Sequence, residues 1–132
     1  SDAALSIHGG RCVHASALEG LAGFDADYFD LIVMASFLEH EIQPLPLLRE
    51  CARRLRVGGQ VLIKVPNHAS WNRHLRGARW CGYRWPDHVN YFTPQTLAAM
   101  AQAAGLAVER MSLLDRFAVS DSLYAVLRSA AR

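Results

Sequence analysis

The sequence predicts an α/β fold with parallel strands at its centre, and three features lead to this prediction. The first is an uninterrupted apolar run at residues 31–35, which is typical of a strand covered on both faces. The second is a helical pattern between Pro44 and Gly59, and the third is a mostly apolar stretch at residues 61–65. Strand, helix and strand within about 35 residues favour a right-handed parallel crossover.

The helix of this crossover has signals at both ends. Pro46 suits a first-turn position. Four apolar residues repeat at helical spacing, namely Leu48, Cys51, Ala52 and Leu55. Arginines cluster toward the end where the helix macrodipole is negative, and Gly58 can adopt the left-handed cap conformation. We therefore expect the helix to end at the glycines and the next strand to follow them.

The rest of the chain completes an α/β pattern. Thr93 is the expected N-cap of a second helix, with Pro94 at its first position and Gly105 after its end. Residues 106–111 and 122–128 then predict two strands, and the short connection around residues 115–116 favours an antiparallel pair. Near the start, residues 11–15 are a candidate short strand within a weakly patterned region that extends to residue 23.

Residues 66–93 form a stretch that is too long for an ordinary connector. All three tryptophans lie in it, together with three of the six histidines and four arginines. A segment that mixes aromatic and basic side chains in this way suits a lid over a ligand. We refer to residues 66–93 as the lid segment.

Composition limits the classes of protein to which the chain can belong. With 132 residues, of which 52% are hydrophobic, it is expected to form a single domain over residues 1–132. A formal charge of +2 is too small to favour binding to nucleic acid or to a membrane surface. No apolar stretch approaches the ~18 residues of a membrane span, and no charged-then-apolar leader opens the sequence.

The cysteines favour a reducing compartment. Cys12, Cys51 and Cys81 are odd in number and widely spaced, so neither a disulfide framework nor a zinc site is indicated. The spacing of His68, His74 and His88 matches no known metal site, and no metal is predicted. A cytoplasmic location is expected.

Several short motifs occur in an order that is specific when they are taken together. They are Tyr28-Phe29-Asp30, Leu38-Glu39-His40, Gly58-Gly59, Val65-Pro66-Asn67, Pro86-x-His88 and Tyr91-Phe92-Thr93-Pro94. Over about residues 9–128, this order resembles the class I S-adenosylmethionine-dependent methyltransferases of the small-molecule type. The resemblance implies a partial Rossmann-like sheet, S-adenosylmethionine as the cofactor and a small molecule as the methyl acceptor.

The resemblance covers only the C-terminal part of that family's domain. The family's first strand ends in a glycine-rich turn, and no Gly-x-Gly-x-Gly is present in this chain. Gly9-Gly10 lies where the family has the link into its third strand, and it is interpreted as a plain turn. The chain is therefore expected to be a truncated domain that lacks the first two strands and binds the cofactor weakly or not at all.

The candidate cofactor contacts combine topology with the resemblance. Ligands of open α/β sheets bind beyond the carboxyl ends of the strands, which places Met34, Ala35 and Ser36 at the methionine end of the cofactor. The resemblance places Ser16, Ala17 and Leu18 at the adenine, although the family often has an acidic residue at the Ser16 position. For Met34 and Leu18, simple core packing is the alternative.

His40 and His88 are the candidate catalytic residues. Methyl transfer depends chiefly on alignment of the nucleophile, and a base is needed when the acceptor is a hydroxyl group. His40 follows the central strand closely enough to face the pocket, and His88 lies in the lid segment. For both residues the alternative is a structural hydrogen bond.

The candidate substrate contacts also lie in the lid segment. They are Asn67, Trp80, Arg84 and Tyr91. Asn67 can make a backbone contact instead, and Trp80 can belong to a small core of the lid itself. The arginines of the segment suit an anionic acceptor, and a solvated surface is the alternative.

Two further expectations follow from the strand order of the resembled family. The strand at residues 31–35 lies beside the missing first strand, so its edge stays unpaired and self-association as a homodimer is expected. The main alternative to an enzyme is a non-catalytic dimerisation or interaction module with the same fold. Another α/β nucleotide-binding fold, such as part of a reductase, is a more remote alternative.

Overall fold

A computed structural model describes residues 13–112 and 120–129 of the chain. The helices are α1 (Ala17–Ala22), α2 (Pro44–Arg54), α3 (Trp71–Arg76) and α4 (Pro94–Ala103), with 3₁₀ turns at Leu38–His40 and Gly77–Arg79. The strands are β1 (Phe29–Ala35), β2 (Leu55–Pro66), β3 (Leu106–Met111) and β4 (Ser122–Ser129). They form one four-stranded sheet in the order β1-β2-β4-β3. The α/β class is confirmed.

Both predicted strand pairings are present in the sheet. β1 and β2 are parallel, with Ile32 opposite Val61 and Met34 opposite Ile63. β4 is antiparallel to β2 and to β3, so it lies between them. Because β1 and β2 are parallel, their carboxyl ends lie at the same edge of the sheet, and α2 makes the crossover between them. The predicted loop around residues 115–116 lies outside the described residues.

The helix α2 ends earlier than the sequence predicted. Leu55 is already extended, is fully buried and begins β2, so Gly58 does not cap the helix. The register moves from Phe29 opposite Leu55 to Leu31 opposite Gln60, which leaves the glycines in a bulge of β2. Gly58 has φ +78° there. A Cβ on Gly59 would lie 2.9 Å from the Arg56 carbonyl oxygen, so the close approach of the bulged backbone requires a glycine.

The prediction of a strand at residues 11–15 was wrong for the part of it that the structure describes. Residues 13–15 are not in a strand, and residues 11–12 lie outside the described part. Ser16 caps α1 in a reciprocal arrangement with Glu19, whose side chain accepts hydrogen bonds from the Ser16 backbone and hydroxyl. β1 is an edge strand of the described sheet, and no described strand lies on its outer side.

The second predicted helix is confirmed. Thr93 caps α4 reciprocally with Thr96, and Pro94 occupies its first turn. Gly105 follows the helix with φ +81°, a conformation that favours glycine at this position. The strands β3 and β4 begin at the predicted residues, Leu106 and Ser122.

One face of the sheet carries the core. Its side chains pack against α2 and α4, and the buried cluster includes Leu47, Leu48, Cys51, Leu55, Val61, Ile63, Val65, Leu97, Ala101, Leu106, Leu123, Ala125 and Leu127. The alternate residues of β2 and β4 supply the sheet side of this core, as period-2 alternation requires. This packing fixes the strand register and so fixes the carboxyl edge.

The other face of β1 is open within the described part of the chain. Leu31 is 49% exposed and Val33 is 60% exposed, although both are apolar. The outer edge of β1 also pairs with no described strand. The run at residues 31–35 predicted coverage on both faces, and the described residues cover only one. None of the described helices has both the length and the apolar composition that a membrane span requires.

Candidate functional site

The carboxyl ends of β1 and β2 form the floor of the candidate site. β1 ends at Ala35, and the Ser36 backbone N–H donates to the Lys64 carbonyl on β2 at 2.9 Å. Ser36 has φ +52°, a conformation that is uncommon for a residue other than glycine and that turns the chain sharply out of the strand. Beyond the end of β2, Asn67 pairs with Phe92, so the two ends of the lid segment meet at this edge.

The turn after β1 holds the far end of the lid segment. The Glu39 carbonyl accepts the backbone N–H groups of Val89 and Asn90, at 2.9 and 3.0 Å. The Asn90 side-chain amide donates to the carbonyls of Leu38 at 3.3 Å and Glu41 at 2.6 Å. These four hydrogen bonds join elements that are about 50 residues apart in sequence. The sequence interpretation did not identify Asn90.

This attachment brings His40 and His88 together. Their rings meet edge to face with centroids 4.7 Å apart. His40 Nδ1 lies 2.7 Å from the Asp87 carbonyl and His88 Nδ1 lies 2.8 Å from the Gly82 carbonyl. Because a carbonyl only accepts, each Nδ1 carries the proton, and each Nε2 is left as an acceptor in the neutral ring. His40 is exposed and His88 is buried.

Glu39 completes a cluster with the two histidines. Its side chain is buried, and Oε1 lies 3.9 Å from His40 Nε2. Oε2 has no hydrogen-bond partner among the described residues. The candidate ligand atoms of Glu39, His40 and His88 all lie within 4.8 Å of one another. The sequence interpretation used the Glu-His pair only as a family motif and did not anticipate this cluster, because His88 is distant in sequence.

A second carboxylate, Asp121, fastens the near end of the lid segment to the sheet. It accepts hydrogen bonds from Ser70 Oγ at 2.9 Å, Asn72 Nδ2 at 3.0 Å and Trp80 Nε1 at 2.8 Å. Burial alone would raise the pKa of Asp121, but the hydrogen bonds from Trp80, Ser70 and Asn72 together outweigh it and hold the pKa below its usual value. Sequence reasoning missed Asp121, since nothing local marks it.

The aromatic residues of the lid segment pack on one another. His68 lies against Trp80, Tyr83 and Tyr91, with ring centroids between 5.5 and 6.0 Å away. Burial, followed by the charges of Arg73 and His74, holds the pKa of His68 below its usual value. The lowered pKa favours the neutral ring, which suits the place of His68 among aromatic rings.

The candidate substrate contacts occupy different environments. Trp80 is 1% exposed, so its ring has almost no free surface and forms the core of the lid segment. Asn67 is also buried, and its amide donates to the Ser120 carbonyl while its oxygen accepts the Ala69 N–H. These two residues hold the segment together. Arg84 is exposed and Tyr91 is partly buried, so their side chains retain surface for a ligand.

Three of the six candidate cofactor contacts share one pocket. Ser16, Ala17 and Met34 line an apolar pocket of about 310 Å³ that also includes Phe37 and Cys51. Leu18, Ala35 and Ser36 do not line it. Burial raises the pKa of the Cys51 thiol to about 12, which disfavours the reactive thiolate form. The pocket lies between α1 and the outer edge of β1, and it reaches α2 at Leu47 and Cys51.

The pKa of Asp121 predicts a specific acid sensitivity. A carboxyl whose folded-state pKa lies below the unfolded value of about 3.9 stabilises the fold above that pH. This stabilisation is lost as the pH falls through the folded-state pKa. We expect urea unfolding to show a larger stability difference between the natural chain and Asp121→Asn at about pH 7 than at about pH 3. An unchanged difference would show that the charge of Asp121 does not hold the segment.

Comparison with known proteins gives consistent matches. A family model described as a methyltransferase domain matches residues 9–110. The ubiquinone biosynthesis O-methyltransferase of Aeromonas salmonicida is 34% identical over 92 residues, which are 65% of this chain and 39% of that protein. The enzyme of the same name from Xanthomonas axonopodis is 30% identical over 102 residues, 73% of this chain and 43% of that protein. The chain thus spans about two fifths of the length of these curated relatives.

Solved structures share the fold at low sequence identity. A SAM-dependent methyltransferase from Archaeoglobus fulgidus has a TM-score of 0.71 at 16% identity, with 97% of this chain and 72% of that chain covered. The 1,6-didemethyltoxoflavin-N1-methyltransferase of Burkholderia thailandensis, solved with bound 1,6-didemethyltoxoflavin and S-adenosylhomocysteine, has a TM-score of 0.67 at 17% identity. In that comparison 98% of this chain and 56% of that chain are covered.

Proposed function

Since this chain belongs to the class I S-adenosylmethionine-dependent methyltransferases, we propose that it forms the acceptor-binding portion of an enzyme that methylates a small molecule. The observation that carries this proposal is the meeting of His40 and His88 at the carboxyl ends of β1 and β2, beside the lid segment. This edge is where open α/β sheets bind their ligands. The alternative of a non-catalytic module is not favoured, because the matching relatives are enzymes.

The two histidines suit a hydroxyl acceptor. When bound, S-adenosylmethionine supplies an electrophilic methyl group, and the protein has to align the acceptor oxygen and remove its proton. The Nδ1 hydrogen bonds of His40 and His88 orient both rings and leave each Nε2 free to accept that proton. The curated relatives are O-methyltransferases, which supports the transfer of a methyl group to oxygen.

The pocket beside β1 is the proposed place of the cofactor. Ser16 and Ala17 lie on one side of it and Met34 on the other, and its volume of about 310 Å³ is near the lower limit for a cofactor site. Its residues are mostly apolar, and no glycine-rich turn lies among the described residues to approach the methionine part. The fit is therefore partial. We infer that this chain alone binds S-adenosylmethionine weakly or not at all.

The lid segment is proposed to cover the acceptor. Its two ends are fastened, by Asp121 at one side and by the turn at residues 38–41 at the other. Arg76, Arg79 and Arg84 are exposed, and Arg76 and Arg79 line a surface depression. An anionic group on the acceptor would find charge-assisted hydrogen bonds there or at Arg84. We propose that residues 1–132 act as one truncated domain that includes this segment.

Assembly and location are proposals of the same kind. The open face of β1 supports a homodimer, since a second copy would cover the exposed side chains of Leu31 and Val33. Cys51 and Cys81 are free thiols, which supports a cytoplasmic location. The small net charge gives no support for a nucleic-acid partner.

A chimeric enzyme tests the proposed function. The segment of the Aeromonas salmonicida relative that precedes its matching region would be fused to this chain, and S-adenosylhomocysteine release would be measured with a panel of hydroxylated aromatic acceptors. We expect turnover, and we expect the double variant His40→Gln/His88→Gln to lose about 100-fold or more of it. His74→Gln, in an exposed histidine of the same segment, is the control and should retain full turnover. Unchanged turnover in the double variant would contradict the proposed role.

A further inference from the structure

We propose that Glu39, His40 and His88 form a binding site for a divalent transition-metal ion such as Zn²⁺. The three side chains come from the turn after β1 and from the lid segment, and their candidate ligand atoms lie within 4.8 Å of one another. The proposal of a metal site rests on these contacts alone. The further proposal that the metal binds a methyl acceptor rests also on the proposed function.

The histidines are already oriented as metal ligands. In metal sites, the ring nitrogen that does not bind the metal usually donates to a carbonyl or a carboxylate, which fixes the ring and the tautomer. Here His40 Nδ1 donates to the Asp87 carbonyl and His88 Nδ1 donates to the Gly82 carbonyl. The Nε2 lone pairs are therefore available. Edge-to-face contact at 4.7 Å brings the two rings to the same place.

The buried carboxylate of Glu39 is the second, independent observation. Its side chain is 2% exposed, and Oε2 lacks a hydrogen-bond partner among the described residues. An unpaired buried carboxylate oxygen is costly, and such groups in folded proteins are normally paired or bound to a metal. No arginine or lysine contact satisfies it within the described residues. A cation between Glu39 and the two imidazoles would remove this cost.

The donor set indicates which metal would bind. Imidazole nitrogens suit Zn²⁺ and similar transition metals, whereas Mg²⁺ prefers oxygen ligands and retains several waters. Ligand atoms of a tetrahedral Zn²⁺ lie about 3.4 Å apart, as bond lengths of about 2.1 Å imply. The present separation of 3.9 Å between Glu39 Oε1 and His40 Nε2 is close to that value, and the exposed His40 side chain has room to adjust. Three protein ligands leave one position open.

The open position suits the acceptor of the proposed reaction. A hydroxyl oxygen bound to the metal becomes more acidic and is held at a fixed place. In the metal-bound state, His40 and His88 would then act as ligands that position the acceptor oxygen. Only in the metal-free state would the two histidines contact the hydroxyl proton of the acceptor directly.

Metal titration of this chain tests the site without any methyl transfer. Chain treated with a chelator and dialysed would be titrated calorimetrically with Zn²⁺ and, separately, with Mg²⁺. We expect one Zn²⁺ to bind with micromolar or tighter affinity and Mg²⁺ to give no comparable binding. Glu39→Gln and His88→Gln should each weaken Zn²⁺ binding by about 100-fold or more, since even the loss of an outer-shell partner weakens binding by about 10-fold to 100-fold.

Two controls separate this site from incidental binding. Cys81 is an exposed free thiol and His74 is an exposed imidazole, so either can bind Zn²⁺ by itself. Cys81→Ser and His74→Gln should leave the proposed binding unchanged. Loss of binding in either control variant, or its retention in both Glu39→Gln and His88→Gln, would overturn the proposal.

Nitrogen-15 NMR of the histidine rings covers the case in which a variant does not fold. In the natural chain, Zn²⁺ should shift the Nε2 resonances of His40 and His88 and leave those of His74 in place. Unshifted Nε2 resonances at saturating Zn²⁺ would contradict the site. If Zn²⁺ binds but the chimera shows no turnover, the proposed function fails and the metal site stands. If the chimera shows turnover but no Zn²⁺ binds, the metal site fails and the proposed function stands.

Discussion

Asp121→Ala is expected to lower the free energy of unfolding by about 3 kcal/mol or more, a large effect for a side chain that is not fully buried. Three side-chain donors converge on this carboxylate, from Ser70, Asn72 and Trp80. Hydrogen bonds to charged groups stabilise a protein by about 1.5 to 3 kcal/mol each, and the indole N–H of Trp80 would be left buried without a partner. Urea unfolding followed by tryptophan fluorescence measures the loss, since Trp80 itself reports on it.

Two further variants show how much of the loss in unfolding free energy comes from the hydrogen bonds to the Asp121 carboxylate. Asp25→Ala removes an exposed acid outside the lid segment and should change the free energy of unfolding by less than about 0.5 kcal/mol. Asp121→Asn retains one acceptor oxygen and should fall between the natural chain and Asp121→Ala. A loss below about 1 kcal/mol in Asp121→Ala would mean that the lid segment is held chiefly by its other contacts.

Leu31→Lys/Val33→Lys is expected to convert a dimer of this chain into a monomer. Both side chains project from the open face of β1, next to its unpaired edge, and both are about half exposed or more. A second copy that covered this face would have to bury two ammonium groups, at a cost of several kcal/mol each. Association should weaken by at least about 100-fold, which corresponds to about 2.7 kcal/mol.

Sedimentation velocity over a range of protein concentrations measures this change. Ile42→Lys is the matched control, because Ile42 is 84% exposed but lies in the turn before α2 and not on β1. It should leave the dimer intact. The homodimer proposal would be contradicted by a natural chain that is monomeric at tens of micromolar, or by a double variant that dimerises as the natural chain does.

The parts of the fold that follow from local pattern were predictable. The apolar run before Ser36 gave β1, and the Thr93-Pro94 pair gave the start of α4, because caps and periodicity act over a few residues. The end of α2 was not predictable in the same way. Helix and strand compete for Leu55, and its pairing with Phe29 on another strand decides the outcome. The glycines that suggested a cap serve a bulge instead.

The residues of the candidate site were also predictable only in part. His40 was identified because it closely follows the central strand, and His88 because it lies in the aromatic lid segment. The structure brings their rings together. Asp121 and Asn90 were missed, since their roles depend on hydrogen bonds to residues between 41 and 52 positions away in the sequence. Trp80 was interpreted both as a substrate contact and as a core residue, and only its burial favours the second interpretation. Residue type alone does not distinguish these roles.

We propose that the cofactor site is divided at the outer edge of β1. This chain contributes Ser16, Ala17 and Met34 to the pocket, and the glycine-rich wall is absent from its sequence. The chimera described above would add that wall from the Aeromonas salmonicida relative. If this chain binds the cofactor only in the chimera, then the added segment and this chain together form one cofactor site.

Calorimetric titration with S-adenosylhomocysteine tests this most directly, performed side by side on the isolated chain and on the folded chimera. We predict micromolar binding at one site per chimera and no measurable binding to the isolated chain under the same conditions. Micromolar binding by the isolated chain, or a folded chimera that does not bind S-adenosylhomocysteine, would contradict the account.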